Sequence, residues 1–333
     1  MIIDAHTHGI HAESLDKLAD IGGSWAKKTL SEWFARMQNR KPHAIDAALR
    51  IEQLDRNDID LQVVTPFGWM DANNLPADLA TKLAYSRATN DGMAKFADES
   101  KGRLVCGGSV PLEGFEQGGR QEMERAIKTL GLKVISIPSN IGGKPVDLPE
   151  FEPFWAQAAE MGIAVWIHPV GPAGVTDRSY EAEYDLIHNL GWPFETQLML
   201  HRLVFSGIME RYPTLNVISH HLGGGLPFLM SRTEETYAAL RKIVGSDLPR
   251  PLYDYFSRFY YDTAIGGSAP AIRCTYEVFG ADQIIFATDA PYGPGTGEER
   301  LASYPKIIKS LNLPATDNKK IFEDNARKII KFD

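Results

Sequence analysis

Two histidines one residue apart, His6 and His8, close the apolar run that opens the chain, Met1-Ile2-Ile3-Asp4-Ala5. Alternate residues of a strand point to the same side, so both imidazoles can face one point. Similar endings recur downstream. His168 closes Val165-Trp166-Ile167, His220 and His221 close Val217-Ile218-Ser219, and Asp289 closes Ile285-Phe286-Ala287-Thr288. Neutral imidazole and carboxylate are good ligands for Zn²⁺ and, less selectively, for Mn²⁺, Co²⁺ or Fe²⁺. A single HxH arises by chance, and an aspartate after a strand is a common helix cap. It is the joint placement at several strand ends that points to one metal site. His6, His8, His168 and Asp289 are the expected ligands, a set that leaves a position for water or substrate.

The elements that must position these residues are short apolar runs alternating with longer amphipathic stretches. Candidate strands are Ile2–His6, Leu61–Thr65, Leu104–Val110, Leu132–Ile137, Ala164–His168, Leu215–Ser219, Phe259–Thr263 and Ile284–Thr288. Their nearly continuous hydrophobicity suits strands buried on both faces. Between them lie helical patterns at Ala44–Arg56 (apolar Ile45, Leu49, Ile51 and Leu54), Ala77–Glu99, Gly119–Leu130, Phe151–Met161 and Thr196–Arg211. Alternating strand and helix implies a parallel sheet, and eight such units imply a closed (β/α)8 barrel, with a doubly wound sheet as the competing architecture. On a barrel every candidate ligand falls on the C-terminal rim, where barrel enzymes keep their chemistry. Two segments interrupt the alternation there, 12–42 and 171–192. Their aromatics, Trp25, Trp33, Phe34, Tyr180, Tyr184 and Trp192, line either a substrate pocket or a small core of their own.

The 333 residues and 44 % hydrophobic content supply one large core, and the whole of 1–333 is expected to form a single barrel domain. A net charge of −8 with no Lys/Arg run argues against nucleic-acid or anionic-membrane partners. Cys106 and Cys274 form neither a CxxC nor a disulfide framework, so a reducing compartment, the cytoplasm, is expected. The opening residues lack a basic start followed by an apolar stretch, as a secretory signal would have. No apolar run approaches the ~18–20 residues of a membrane helix.

The order HxH, His, His, Asp at strands one, five, six and eight resembles the amidohydrolase superfamily over nearly the whole chain. Finer features narrow the resemblance. Phe205-Ser206-Gly207-Ile208-Met209-Glu210-Arg211-Tyr212-Pro213, then His221-Leu222-Gly223-Gly224-Gly225-Leu226-Pro227-Phe228, and the closing Asn325-Ala326-Arg327 look like the amidohydrolase-2 branch. That branch contains aminocarboxymuconate-semialdehyde decarboxylase and γ-resorcylate decarboxylase. The resemblance implies metal ligands at His6, His8, His168 and Asp289, and a catalytic histidine at His221 rather than His220. It leaves His220 without a counterpart, expected to turn into the barrel wall. It matches Arg232 to an arginine that binds a substrate carboxylate or orders a dimer interface, and it implies a homodimer. Binuclear relatives carry a lysine at the end of the fourth strand. Here Lys133 begins that strand and Pro138-Ser139-Asn140 end it, so one divalent ion is expected, zinc first and manganese as the alternative.

The favoured activity is non-oxidative decarboxylation of a small aromatic or unsaturated carboxylic acid. His221 and Asp289 would move the proton, Arg232 would hold an anionic group, and Trp166, Trp192 or Phe194 would sandwich the ring. The alternative is hydrolysis of a lactone, ester or amide, or hydration, on the same site. A metal-stabilised barrel without catalysis fits less well, because structural zinc sites favour cysteine and leave no position open. The Gly/Pro-dense segment 290–298 after Asp289 is either a mobile lid or a fixed loop.

Overall fold

The computed structural model describes residues 1–38, 41–170, 184, 186–243 and 245–332, with main chain alone at 32–38 and 69. Eight parallel strands among these residues form the frame: β1 (Ile3–His8), β2 (Leu61–Thr65), β3 (Leu104–Cys106), β4 (Val134–Pro138), β5 (Ala164–His168), β6 (Asn216–Ser219), β7 (Tyr260–Asp262) and β8 (Ile284–Ile285). They pair in sequence order as β1-β2-β3 and β4-β5-β6-β7-β8. Main-chain hydrogen bonds bridge both seams. Gly108 N–H donates to Val134 O and Ser136 N–H to Gly108 O between β3 and β4. Ala5 N–H donates to Phe286 O and Asp289 N–H to His6 O between β8 and β1. The order is that of a (β/α)8 barrel, in which every strand has two neighbours.

Two cores follow from this arrangement. Inside the barrel, Ile3, Ala5, Val63, Val134, Trp166 and Ile218 pack together, and Ile329, Ile330 and Phe332 from the chain's end join them. A far larger cluster fills the layer between strands and helices. The last helix, Asn325–Ile330, thus seals the barrel below while the strand ends stay free above.

The register of β1 slips by one residue. Asp4 faces Gln62, but Thr7 faces Val64, so one residue of β1 is extra. Such a bulge re-aims the side chains beside it. It lets Ala5 pack in the interior while His6 and His8 both face the rim. Simple alternation anticipates the last two but not the slip that keeps Ala5 inside as well.

Helix Ala47–Arg56 begins at Asp46, whose carboxylate accepts from Leu49 N–H, a standard N-cap. Its buried face matches the expected one in part, with Ile45 and Leu54 buried and Ile51 half-buried. Leu49 is exposed, and Ala47, Arg50, Gln53 and Leu54 are buried. Burial of Arg50 is offset by two hydrogen bonds from its guanidinium, Nε–H to Gln62 Oε1 and Nη1–H to His8 O. The expected helix Thr196–Arg211 is two, Trp192–Phe205 and Ile208–Arg211, parted at Gly207, whose φ of +81° favours glycine. Segment 12–42 contains helices Ser14–Ile21 and Gly23–Gln38, with Trp25 packed on the core. The side chains of Trp33 and Phe34, and residues 171–183 with Tyr180, lie outside the described residues. Tyr184 is exposed.

Candidate metal centre

His6 Nε2 and His8 Nε2 lie 3.2 Å apart, and His8 Nε2 lies 3.3 Å from Asp289 Oδ1. One nitrogen or oxygen from each of these three residues falls within 4.8 Å of the others. Donors bound at about 2.0–2.2 Å to a single ion sit roughly 3.0–3.5 Å from one another, so these spacings suit a shared cation. The second nitrogens support the same reading. His8 Nδ1 faces Pro66 O at 3.3 Å, and His168 Nδ1–H donates to Pro169 O at 2.7 Å, which leaves Nε2 of each ring as the ligand atom. His168 is outside the three-residue cluster, but its ring centroid is 5.0 Å from that of His8.

The electrostatics favour ligands in the form a metal needs. Burial, reinforced by neighbouring imidazoles, drives His6 and His168 well below the ordinary histidine range, so both are neutral. Burial opposes ionisation of Asp289, but the His8 contact and the charge of Arg300 outweigh it and hold the carboxyl below its usual range. Asp289 adopts a left-handed backbone (φ +63°), as does His221 (φ +53°). Strained backbone of this kind clusters at functional sites.

The close packing around His168 depends on Gly68. A Cβ there would lie 2.6 Å from His168 Nδ1 and 2.7 Å from its Cγ, so any side chain would displace the ring. Under the cluster, Asp4 accepts from Thr288 Oγ1–H, Thr288 N–H and Gln62 Nε2–H, tying the residue before Asp289 to β1. Burial pushes Asp4 up to about 7.

The two histidines after β6 are arranged differently. His220 does not turn into the barrel wall. Its ring centroid lies 3.9 Å from His6 and 4.9 Å from His168, so it enters the ligand cluster. Its Nδ1 is 3.1 Å from Asp262 Oδ2, though out of line for a hydrogen bond. His221 is held by its main chain, whose N–H donates to Asp262 Oδ1, and its buried Nδ1 has no hydrogen-bond partner among the described residues. Burial lowers His220 to about 3 and His221 to about 4. Both are neutral near pH 7.

Trp166 stacks on His6, with centroids 4.4 Å apart and planes 28° apart, and is wholly buried, so it forms the floor of the centre. Trp192 meets His168 edge-on at 5.6 Å and stands on the rim. Phe194 and Arg232 are not brought to the centre. Phe194 comes two residues after Trp192, about 200° around the helix, and lines an outward groove with Gln197 and His201. Arg232 lines the adjoining groove with Leu229, Thr233 and Tyr237. Phe67 and Tyr292, which the sequence reading did not single out, flank His8 at 5.7 and 5.3 Å. Their signal was position alone: each lies within three residues of a strand end or ligand.

Segment 290–298 is tied down. Lys41 Nζ donates to Pro291 O and Gly293 O, and Arg56 and Asn57 both donate to Glu298. These contacts favour the fixed loop. Lys133 is exposed ahead of β4, away from the rim.

Comparison with known proteins agrees with this architecture. The family model described as "Amidohydrolase" matches residues 3–332. A 2-amino-3-carboxymuconate-6-semialdehyde decarboxylase from Dictyostelium discoideum is 32 % identical over 254 residues, 75 % of this chain and 68 % of that protein. A gamma-resorcylate decarboxylase from Rhizobium radiobacter is 25 % identical over 317 residues, 91 % of each chain. The crystal structure of 5-carboxyvanillate decarboxylase from Sphingomonas paucimobilis superposes with a TM-score of 0.86 at 22 % identity, covering 100 % of this chain and 99 % of that one. A 5-carboxyvanillate decarboxylase from Novosphingobium aromaticivorans, solved with manganese, gives 0.85 at 23 % identity, covering 100 % and 96 %. The chain therefore belongs to the amidohydrolase family, with carboxylic-acid decarboxylases among its relatives.

Proposed function

We propose that this chain is a metal-dependent, non-oxidative decarboxylase of a small aromatic or unsaturated carboxylic acid. The observation that carries the reading is the cluster of His6, His8 and Asp289, with His6 kept neutral by burial and Asp289 held ionised, aromatic rings on several sides and a further histidine, His221, beside it. His6, His8, His168 and Asp289 would hold one divalent ion. When bound, that ion would polarise a substrate oxygen and stabilise developing negative charge.

The chain's own residues supply the rest. Trp192, Phe67 and Tyr292 would flank a planar ring, with Trp166 as the floor beneath the ligands. His221 would deliver a proton to the carbon bearing the carboxylate, with Asp289 beside the proton's path. The C–C bond then breaks, its electron pair stays on the protonated carbon, and CO2 leaves. We assign His220 to the inner wall of the ligand cluster.

Phe194 and Arg232 fit a different role. The outer helical face also exposes Phe228 (82 %) and Ile243 (81 %), and we propose that it forms a homodimer interface. Met230 and Tyr237, from the same stretch, are buried in the chain's own core. Both cysteines are free thiols, in keeping with a cytoplasmic protein. Among the described residues, no helix is long and apolar enough to cross a membrane.

The test is to load metal-free protein with Mn²⁺ or Zn²⁺ and follow CO2 release from hydroxybenzoates, aminobenzoates and unsaturated dicarboxylates. CO2 release dependent on about one bound ion per chain is expected. Ion binding without CO2, together with turnover of lactones or esters, would transfer the site to hydrolysis.

A further inference from the structure

Asp289 has two carboxylate oxygens, and the structure treats them differently. Oδ1 faces His8 Nε2, while Oδ2 accepts from Arg300 Nη1 at 3.0 Å. The same Nη1 donates to Thr288 O at 3.2 Å, so one guanidinium corner grips both the ligand side chain and the main chain before it.

This contact is built from several directions. Arg300 lies in the first turn of helix Glu298–Ser310, and its guanidinium sits over the ring of Tyr304, one turn on, at 5.9 Å from the centroid. Gly293 lies against its other side at φ +108°. A Cβ there would approach Arg300 Nε to 2.5 Å and Cζ to 3.1 Å. Only glycine lets loop 290–297 pass this close. Between Asp289 and Arg300 the loop is pinned by Lys41 and by Glu298 with Arg56 and Asn57. The arginine's side chain is 21 % exposed and contributes little to the core, so its placement calls for an explanation other than packing.

We propose that Arg300 is a positioning residue that occupies Oδ2 of Asp289, so that Oδ1 alone is presented to the metal and to the reacting atoms. A carboxylate free at both oxygens can swing between one-oxygen and two-oxygen ligation, and a partner on one oxygen removes that choice. The inference rests on Asp289 being a metal ligand, as proposed above.

The experiment compares wild type with Arg300→Gln and Arg300→Lys. Mn²⁺ affinity is read by EPR titration of metal-free protein, and the carboxylate stretching bands of the Mn²⁺-loaded protein by difference FTIR. Arg300→Gln is expected to weaken Mn²⁺ binding about 10- to 100-fold, and to shift the carboxylate band splitting toward two-oxygen ligation. Its metal-free melting temperature should stay within a few degrees of wild type. Arg300→Lys, which keeps the charge and most of the stem, should recover part of the affinity and provides the measurement should the glutamine variant fold poorly. Wild-type affinity and an unchanged carboxylate band in the variants would overturn the assignment. A wild-type protein that takes up no Mn²⁺ or Zn²⁺ would overturn the metal reading itself, a different failure that the same titration identifies.

Discussion

The rim of strand ends and the outer face of helices Trp192–Phe205 and Leu226–Leu240 both carry residues suited to substrate binding, but only the rim brings its set together. On the rim, His6, His8, His168, His220 and Asp289 come from four strand ends and meet within a few ångströms. On the outer face, Phe194 and Arg232 line grooves that share no described residue with that centre. A strand in a closed barrel has its direction fixed by two neighbours, so the end of an apolar run already says where a side chain will point. A helix turns 100° per residue, and a shift of one or two residues in its start sends a side chain to the opposite side.

The sharpest way to break this contrast is at β6. His221→Asn should lower kcat by about 10²–10⁴-fold while Mn²⁺ affinity stays near wild type. His220→Asn should instead weaken metal binding. If steady-state kinetics and metal titration gave the reverse pattern, the roles of the two neighbours would have to be exchanged.

Gly68→Ala is expected to cost about 10²-fold in kcat/KM, because its methyl group would push the His168 ring off position. Normal activity with a displaced His168 ring in a crystal structure of the variant would remove His168 from the centre.

Metal-free protein should lose stability as pH falls below about 6.5. His6, His168, His220 and His221 have lowered folded-state pKa values, so the unfolded chain binds more protons there and acid favours unfolding. Asp4 and Asp262, pushed up to about 7 by burial, act in the opposite sense over roughly pH 4–7. His43 and His201, also lowered by burial, add to the histidine side, and Asp71, raised to about 6, adds to the aspartate side; the histidines outnumber the aspartates, so stability falls with acid between about pH 6 and 4.5. Urea denaturation at several pH values measures the fall, and a flat profile would mean the histidines are not held neutral.

The smallest catalytic effect belongs to the outer face. Phe194→Ala should change kcat/KM less than about threefold, whereas Phe228→Asp should shift sedimentation toward monomer. A large kinetic loss in the Phe194 variant, without a change in assembly, would return that residue to the substrate site.

What the sequence made legible follows the same division. The strands, the rim and the strand-end chemistry could be read because apolar runs and their final residues are local patterns. The bulge in β1 was hidden, since it depends on how Asp4 and Thr7 register against β2. The burial of Arg50 was hidden too: nothing near it in sequence announces that Gln62 and the carbonyl of His8 will meet its guanidinium. Phe67 and Tyr292 took part through ring contacts that no spacing encodes. His220 was assigned by comparison with a single-histidine pattern, and a doubled histidine leaves open which ring turns inward.

The seam between β8 and β1 also bears on how the centre comes into being. Asp4 and Thr288, joined by hydrogen bonds, are separated by 284 positions along the chain. Beside them, His6 and His8 meet Asp289 across the same gap. No partly emerged chain can assemble this ligand set, since its first members leave the ribosome long before the last exists. Loop closure on that scale is slow and comes late, so affinity for the ion should appear only when the ring of strands shuts. Metal uptake would then mark the completion of folding, and a divalent ion present early would find scattered histidines rather than a site.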